Sequence, residues 1–388
     1  MKAPLALLAA LLLWTASPAP AADVALTEPT DYQVFQRATR AAGEVRLRGQ
    51  YAGATAVEAR IVPAGGGGTG EPAWQKAAAR FDGPAFDATL PVPAGGWYRL
   101  EVRLSKDGAA VGSAVVEHVG VGEVFVVAGQ SNSANHGEEK QTTRTKRVAA
   151  FDGKAWRLAD DPQPGASGKG GSFLPPFADA IAERFDVPVG LIGCGIGATS
   201  VREWLPKGAT FPNPPTIEGR VGKRPDGTWE SKGAAFATLV ERMRSAGPRG
   251  FRAVLWHQGE SDANQKDPTR TLPGKLYRAY MEQLIRESGK LAGWDAPWFV
   301  AQVSYHVPGD EASPDIRDAQ AALWKDGVAL QGPDSDALKG DLRERGGKGV
   351  HFSGKGLRAH AAAWADKVGP WLEKELAREP NRPAGGAK

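Results

Sequence analysis

The chain has 388 residues, 41% of them hydrophobic and 24% charged, with one cysteine and a formal net charge of +4. That length allows two domains with sizeable cores. The single cysteine, Cys194, excludes an internal disulfide framework and a cysteine-rich zinc site. The small net charge, with bases and acids interleaved as in 138–140 and 343–345, argues against nucleic acid as a partner.

At the N-terminus, Lys2 precedes an apolar run from Leu5 to Trp14, too short to span a bilayer, and then Ala19-Pro20-Ala21. This pattern predicts a secretory signal peptide over 1–22 and an exported protein, secreted or periplasmic. No cysteine follows the run, so no lipid anchor is expected, and no later segment is apolar enough to cross a membrane.

From about Asp31 to His118, within an expected domain of 23–119, the pattern has period two. Polar and apolar residues alternate in Glu44-Val45-Arg46-Leu47-Arg48 and again from Tyr98 to Leu104, which puts one strand face on a core and the other in water. Further strands are expected at Val57–Val62, Phe86–Leu90 and Ala114–Val119, separated by Gly- and Pro-rich breaks. A small antiparallel β-sandwich follows from this reading; it carries no constellation of catalytic residue types and is expected to be a structural or accessory domain, with sugar binding as the alternative.

Residues 120–378 read differently. Val124–Ala128 has no polar alternation, as suits a strand buried on both faces. Val187–Ile192, Ala253–Trp256 and Trp298–Val303 are similar. Helices are predicted over Pro175–Phe185, Ala234–Ser245 and Lys275–Ser288, with a last helix from an N-cap near Ser353 and a break or kink at Gly369-Pro370. Strand–helix alternation implies a parallel sheet with helices on both faces, an α/β fold. The tail, 379–388, is Pro-, Gly- and Ala-rich and is expected to be flexible.

In parallel sheets, ligands gather beyond the carboxyl ends of the strands. The first buried strand runs into Gly129-Gln130-Ser131-Asn132, where a serine on a tight turn is exposed for attack and neighbouring N–H groups can meet an oxyanion. Ser133 is a rival that the turn geometry disfavours. The second strand ends in the Gly-rich segment Gly193–Ser200, the third in His257-Gln258-Gly259-Glu260-Ser261-Asp262. Gly349-Val350-His351-Phe352-Ser353 precedes the last helix. His351 suits a base near neutral pH. His118 and His257 are expected to be structural, His360 to sit on a helix face, and His136 and His306 to line the pocket. No histidine cluster has metal-ligand spacing. Arg202 and Trp204 are candidates for the pocket rim, Trp204 either stacking on a ligand or packing in the core. The loop Asp160–Gly171 either covers the site or is an ordinary loop.

These blocks, Gly-Gln-Ser-Asn, the Gly-rich segment leading to Trp204, His-Gln-Gly-Glu-x-Asp and Val-His-x-Ser, resemble those of the SGNH-hydrolase superfamily. More narrowly they resemble its sialate O-acetylesterase-like branch, which includes carbohydrate esterase family six. The resemblance spans roughly 121–371. It implies a flavodoxin-like three-layer α/β/α domain and a carboxylic ester hydrolase that removes acetyl groups from sugar hydroxyls. It implies Ser131 as nucleophile, His351 as base, and Glu260 as the acid that orients His351. Many superfamily members carry an aspartate three residues before the histidine; here that position is Lys348, and Asp341 is the fallback acid. Oxyanion and substrate contacts are expected from the Ser131 N–H, from Gly195 or Gly197, and from Gln258, Gln130, Asn132, Arg202 and Trp204.

No cofactor or metal is required by this chemistry, and the expected partner is an acetylated carbohydrate such as a sialic acid or an acetyl xylan, met by a monomer. Two other functions stay open on the sequence: an SGNH-type lipid esterase or thioesterase, and a catalytically silent glycan-binding protein.

Overall fold

The computed structural model describes residues 22–63 and 72–378. The expected tail and all but the last residue of the expected leader lie outside the described residues. The protein is a mixed α/β structure organised on one long strand, Ala109–Gly129.

The first half of this strand belongs to the N-terminal β region. There it pairs antiparallel with Gly95–Lys106 and parallel with Gln33–Gln36. A separate four-stranded antiparallel sheet is built from Ala25–Glu28, Ala42–Gln50, Ala85–Pro93 and Ala78–Asp82. The period-two alternation delivers a shared core: Val45, Leu47, Leu90 and Val92 from this sheet bury against Val57, Leu100, Val102 and Leu104.

The second half of the strand is the centre of a parallel sheet. On one side it pairs with Val189–Gly193, which in turn pairs with Val148–Phe151. On the other side follow Ala253–His257, Trp298–Gln302 and Leu330–Asp334, all parallel. Successive residues of Val124–Ala128 face opposite cores. Val124, Val126 and Ala128 meet the helices Ala234–Ala246, Gly274–Ala292 and Pro314–Lys325. Phe125 and Val127 meet Leu174–Phe185 and Gly354–Arg378. Burial on both faces is why this segment shows no polar alternation.

Several elements depart from expectation. The last helix does not break at Gly369-Pro370 but runs from Gly354 to Arg378. Leu372 and Leu376 extend the buried stripe of Leu357, Ala361, Trp364 and Val368 into the same core, which outweighs the backbone hydrogen bond that Pro370 cannot make. The helix Pro314–Lys325 was not expected, in part because a polar residue, Gln320, occupies its buried face. Neither was the strand Leu330–Asp334, which contains Gly332 and Pro333. A three-stranded sheet of Thr210–Phe211, Trp229–Ser231 and Val221–Lys223 has strands too short to show a period.

The two halves of the long strand meet at Glu123, which is fully buried. Its carboxylate takes Arg37 Nε at 2.6 Å, Arg252 Nε at 2.7 Å and Gln36 Nε2 at 2.9 Å. Each oxygen of the carboxylate therefore faces donors from both regions. Removing the charge would leave guanidinium groups buried without a counter-ion, which typically costs about 3–5 kcal/mol. Glu123→Gln is expected to lower unfolding free energy by about that amount in a denaturant titration, with the loss shared by both regions because the strand is common to them.

Candidate active site

The long strand ends at Gly129, whose φ of +125° lies where side-chain-bearing residues are strained. A Cβ there would also sit 2.1 Å from the His257 carbonyl oxygen. Glycine therefore lets the chain turn sharply against the neighbouring strand. Gln130 N–H then donates to the His257 carbonyl at 2.9 Å, and Ser131–Ser133 form a single 3₁₀ turn. On this turn Ser133 is fully buried and its hydroxyl donates to the Gln130 carbonyl at 2.7 Å. Ser131 is buried as well, with 5% exposure, rather than exposed as expected, and it is the less enclosed of the two serines.

His351 is reached through Asn132. The Asn132 amide donates to the Val350 carbonyl at 3.2 Å and to Glu260 Oε1 at 2.9 Å. The residue after the serine is thus bonded to the residue before the histidine, 218 positions away. Glu138 N–H to the Phe352 carbonyl, 3.0 Å, makes a second tie on the other side of His351. Arg343, buried at 1% exposure, donates to the carbonyls of Val350, Leu338 and Ser335 and lies over the rings of Tyr305 and Phe352. The loop bearing His351 is held at its backbone.

The carboxylate against His351 is Glu344, not Glu260. Glu344 Oε1 lies 3.0 Å from His351 Nδ1 and 3.3 Å from the His351 backbone nitrogen, which donates to it. A side chain at Gly349 would come within 2.2 Å of Glu344 Cγ and 2.5 Å of Oε1, so this glycine makes room for the acid. Asp341 is exposed and faces Lys355 at 2.6 Å.

Glu260 faces inward. Its Oε1 lies 3.3 Å from His257 Nε2 and accepts from Asn132, while Oε2 is buried without a partner. Burial pushes this carboxyl up, but the His257 charge together with hydrogen bonds from His257 and Asn132 pulls harder and holds it below its ordinary value. His257 Nδ1 in turn lies 3.1 Å from His360 Nε2, which also accepts from Trp364 Nε1 at 3.0 Å. Since an indole N–H only donates, His360 Nε2 is the acceptor and His257 Nδ1 the donor. His360 is therefore a fully buried neutral acceptor, not a helix-face residue. Burial and the nearby His257 and Arg343 charges hold its pKa well below the ordinary value.

Most residues expected to touch substrate are turned into the scaffold. Gln130 Oε1 accepts from Ser261 N–H at 3.0 Å and Gly259 N–H at 3.4 Å. Gln258 Nε2 donates to Asp262 Oδ2 at 2.6 Å and to the Thr199 carbonyl at 3.1 Å, so it is not available to an oxyanion. Arg202 has no exposed surface and donates to Asp262, Ser200 and three backbone carbonyls. Trp204 is equally buried, bonded to Thr199 Oγ1 at 2.9 Å and packed edge-on against Trp256. Neither can reach a sugar. These side chains are polar yet buried because the strand-end loops have few backbone partners of their own, and polar side chains supply them.

His136 stays at the site. Its ring lies 5.4 Å from that of His351, and its Nε2 is 3.1 Å from Ser167 Oγ. Burial and the His351 charge lower the His136 pKa, against a smaller opposing pull from Glu344. Ser167, from the loop 160–171, also accepts from the Gly197 N–H at 2.7 Å. That loop is an integral wall, since Asn135 donates to the Gln163 and Ala166 carbonyls. His306 lies at the rim, its two ring nitrogens each 2.6 Å from an oxygen, of Asp310 and of the Glu260 backbone. His118 is remote, paired with Asp31 and stacked on Tyr32.

The segment after Gly197 is closed by Glu203, which accepts from Ser200 N–H at 3.0 Å and pairs with Arg220 at 3.4 Å. Burial pushes the Glu203 carboxyl up to about 7, despite the opposing Ser200 hydrogen bond and Arg220 charge. A raised carboxyl binds its proton more tightly in the folded state. Its stabilising contribution is complete below the unfolded value and is lost as pH rises toward 7. Glu203→Gln is therefore expected to flatten the decline in unfolding free energy between about pH 4.5 and 7, as read in denaturant titrations across that range.

Comparison with known proteins agrees with this architecture. Among solved structures, a carbohydrate acetylesterase from Xanthomonas citri matches at a TM-score of 0.54 with 18% identity, covering 89% of this chain and 76% of that one. A protein of Arabidopsis thaliana matches at 0.43 and 18% identity, over 65% of this chain and 98% of that one. A carbohydrate esterase family 2 enzyme with a carbohydrate binding domain, from Myceliophthora fergusii, matches at 0.34 and 14% identity, over 92% and 99%. No curated protein matches the chain. The model of one family, described as carbohydrate esterase, sialic acid-specific acetylesterase, matches residues 121–368. With the greater part of the chain under that match, the protein belongs to this family of carbohydrate esterases.

Proposed function

We propose that this protein is an exported serine esterase that removes O-acetyl groups from carbohydrates through an acetyl-serine intermediate, with Ser131, His351 and Glu344 as the catalytic set. In fold terms this reading is an SGNH-type three-layer domain preceded by a β-sandwich. The observation that carries it is the tie from Asn132 to Val350, which sets the serine turn beside a histidine already engaged by a carboxylate at 3.0 Å.

Ser131 Oγ attacks the acetyl carbonyl carbon while His351 Nε2 takes the hydroxyl proton. Glu344 at Nδ1 fixes the tautomer and stabilises the imidazolium. The tetrahedral oxygen receives the Ser131 N–H and a second backbone N–H. Gly197 N–H is already committed to Ser167, and a Cβ at Gly195 would lie 2.5 Å from Ser133 Oγ, against the serine turn. This reading takes Gly195 as the second donor. Collapse of the adduct expels the sugar oxygen, which takes the proton from His351. Water, deprotonated by His351, then releases acetate and restores Ser131.

Ser131→Ala is expected to lower kcat for 4-nitrophenyl acetate by at least about 10³-fold. Retained turnover would overturn the nucleophile assignment. Glu344→Gln should lower kcat by about 10²–10⁴-fold with KM little changed, since the glutamine holds the wrong tautomer. Glu260→Gln should show a smaller kinetic loss and a larger fall in stability, because it leaves His257 buried without its carboxylate. The reverse ranking returns the acid role to Glu260. Acetate release from an O-acetylated sialic acid and from acetyl xylan, set against long-chain acyl esters, measures the substrate class; preference for the acyl esters would sink the carbohydrate reading.

A further inference from the structure

We propose that the cleft between the N-terminal β region and the α/β region is a second, non-catalytic binding site for a pyranose oligosaccharide. The cleft is a cavity of ≈1030 Å³ open to solvent, at the upper end of the range of about 300–1,000 Å³ for ligand sites. Its walls place it away from Ser131. Val124, Arg252 and Pro297 line it, and these stand at the amino ends of parallel strands whose carboxyl ends lead to Ser131 and Glu260.

Two features give the cleft a ligand chemistry. First, it has three half-buried indoles in its lining, Trp156, Trp294 and Trp371. Each is backed by a phenylalanine, Phe151 at 5.2 Å, Phe251 at 5.1 Å and Phe299 at 5.1 Å between ring centroids. Rings backed in this way are rigid apolar plates, which suit the C–H faces of sugar rings. Second, the lining carries exposed donors, Lys154 and Arg249, and these call for ligand oxygens as acceptors. Apolar plates combined with donors, in a cleft open to solvent, fit a polyhydroxylated chain better than a lipid or a compact anion. Binding here needs no turnover, so the inference stands apart from the catalytic reading.

The test uses the Ser131→Ala protein titrated calorimetrically with de-esterified xylan and, separately, with oligosialic acid. Saturable binding of either is expected, the two arms separating a neutral chain from an acidic one. Trp156→Ala and Trp294→Phe, added singly, should weaken it about tenfold. The same substitutions in the Ser131 protein should leave 4-nitrophenyl acetate hydrolysis unchanged. Where a tryptophan variant does not fold, the exposed pair Lys154→Ala and Arg249→Ala, also in the lining, should weaken binding at least about threefold. Absence of binding in both arms, or undiminished binding by the folded variants, overturns the proposal.

Discussion

The amide of Asn132 is the constraint on which the site depends. It spans three distant parts of the chain: its own turn, Glu260 128 positions on, and Val350 218 positions on. A buried hydrogen bond contributes on the order of 1 kcal/mol net, but leaving a buried N–H of this amide unmatched costs about 1–3 kcal/mol. The geometry is specified more by that penalty than by the attraction. Because the one amide donates to both Glu260 Oε1 and the Val350 carbonyl, the Ser131 turn is held where both bonds are made. Ser131 is placed by its neighbour.

Behind Asn132 lies a continuous buried polar chain through Glu260, His257 and His360 to Trp364. Beside it runs a second, in which Asp262 accepts from Gln258, Ser200, the Val201 N–H and Arg202. Both begin on the loop after strand Ala253–His257. Such networks are costly where incomplete and specific where complete. They fix three strand ends relative to one another, and Ser131 and His351 stand beside them without taking part. The motif His-Gln-Gly-Glu-x-Asp is built into these networks through His257, Gln258, Glu260 and Asp262.

That division explains what was legible in the sequence. Val124–Ala128 announced itself because both faces are apolar, and the Gly129–Asn132 turn because a glycine and a serine after such a strand have few other uses. The amphipathic helices over 174–185, 234–246 and 274–292 were equally readable. Arg202, Trp204 and Gln258 were misplaced because residue type does not say which way a strand-end side chain turns, and polar residues serve scaffold and substrate alike. Glu344 was missed for a different reason. It reaches His351 through a turn in which Arg345, Gly346 and Gly347 all have positive φ, so the spacing of seven departs from the three expected of a simpler loop. The room left by Gly349 was the available signal.

The long strand ties these levels together. Its first part lies in the N-terminal β region, Glu123 at the junction neutralises Arg37 and Arg252, and its end carries the serine turn. A strand hydrogen-bonded on both sides cannot slide without breaking ladders in both sheets, and a slip of one residue would exchange its two faces. The alternation of Val124, Val126 and Ala128 against Phe125 and Val127 therefore sets the depth at which Ser131 emerges. Position along the sheet is fixed by packing that begins in the other region of the molecule, and the N-terminal β strands contribute to the active site by registration without supplying a catalytic group.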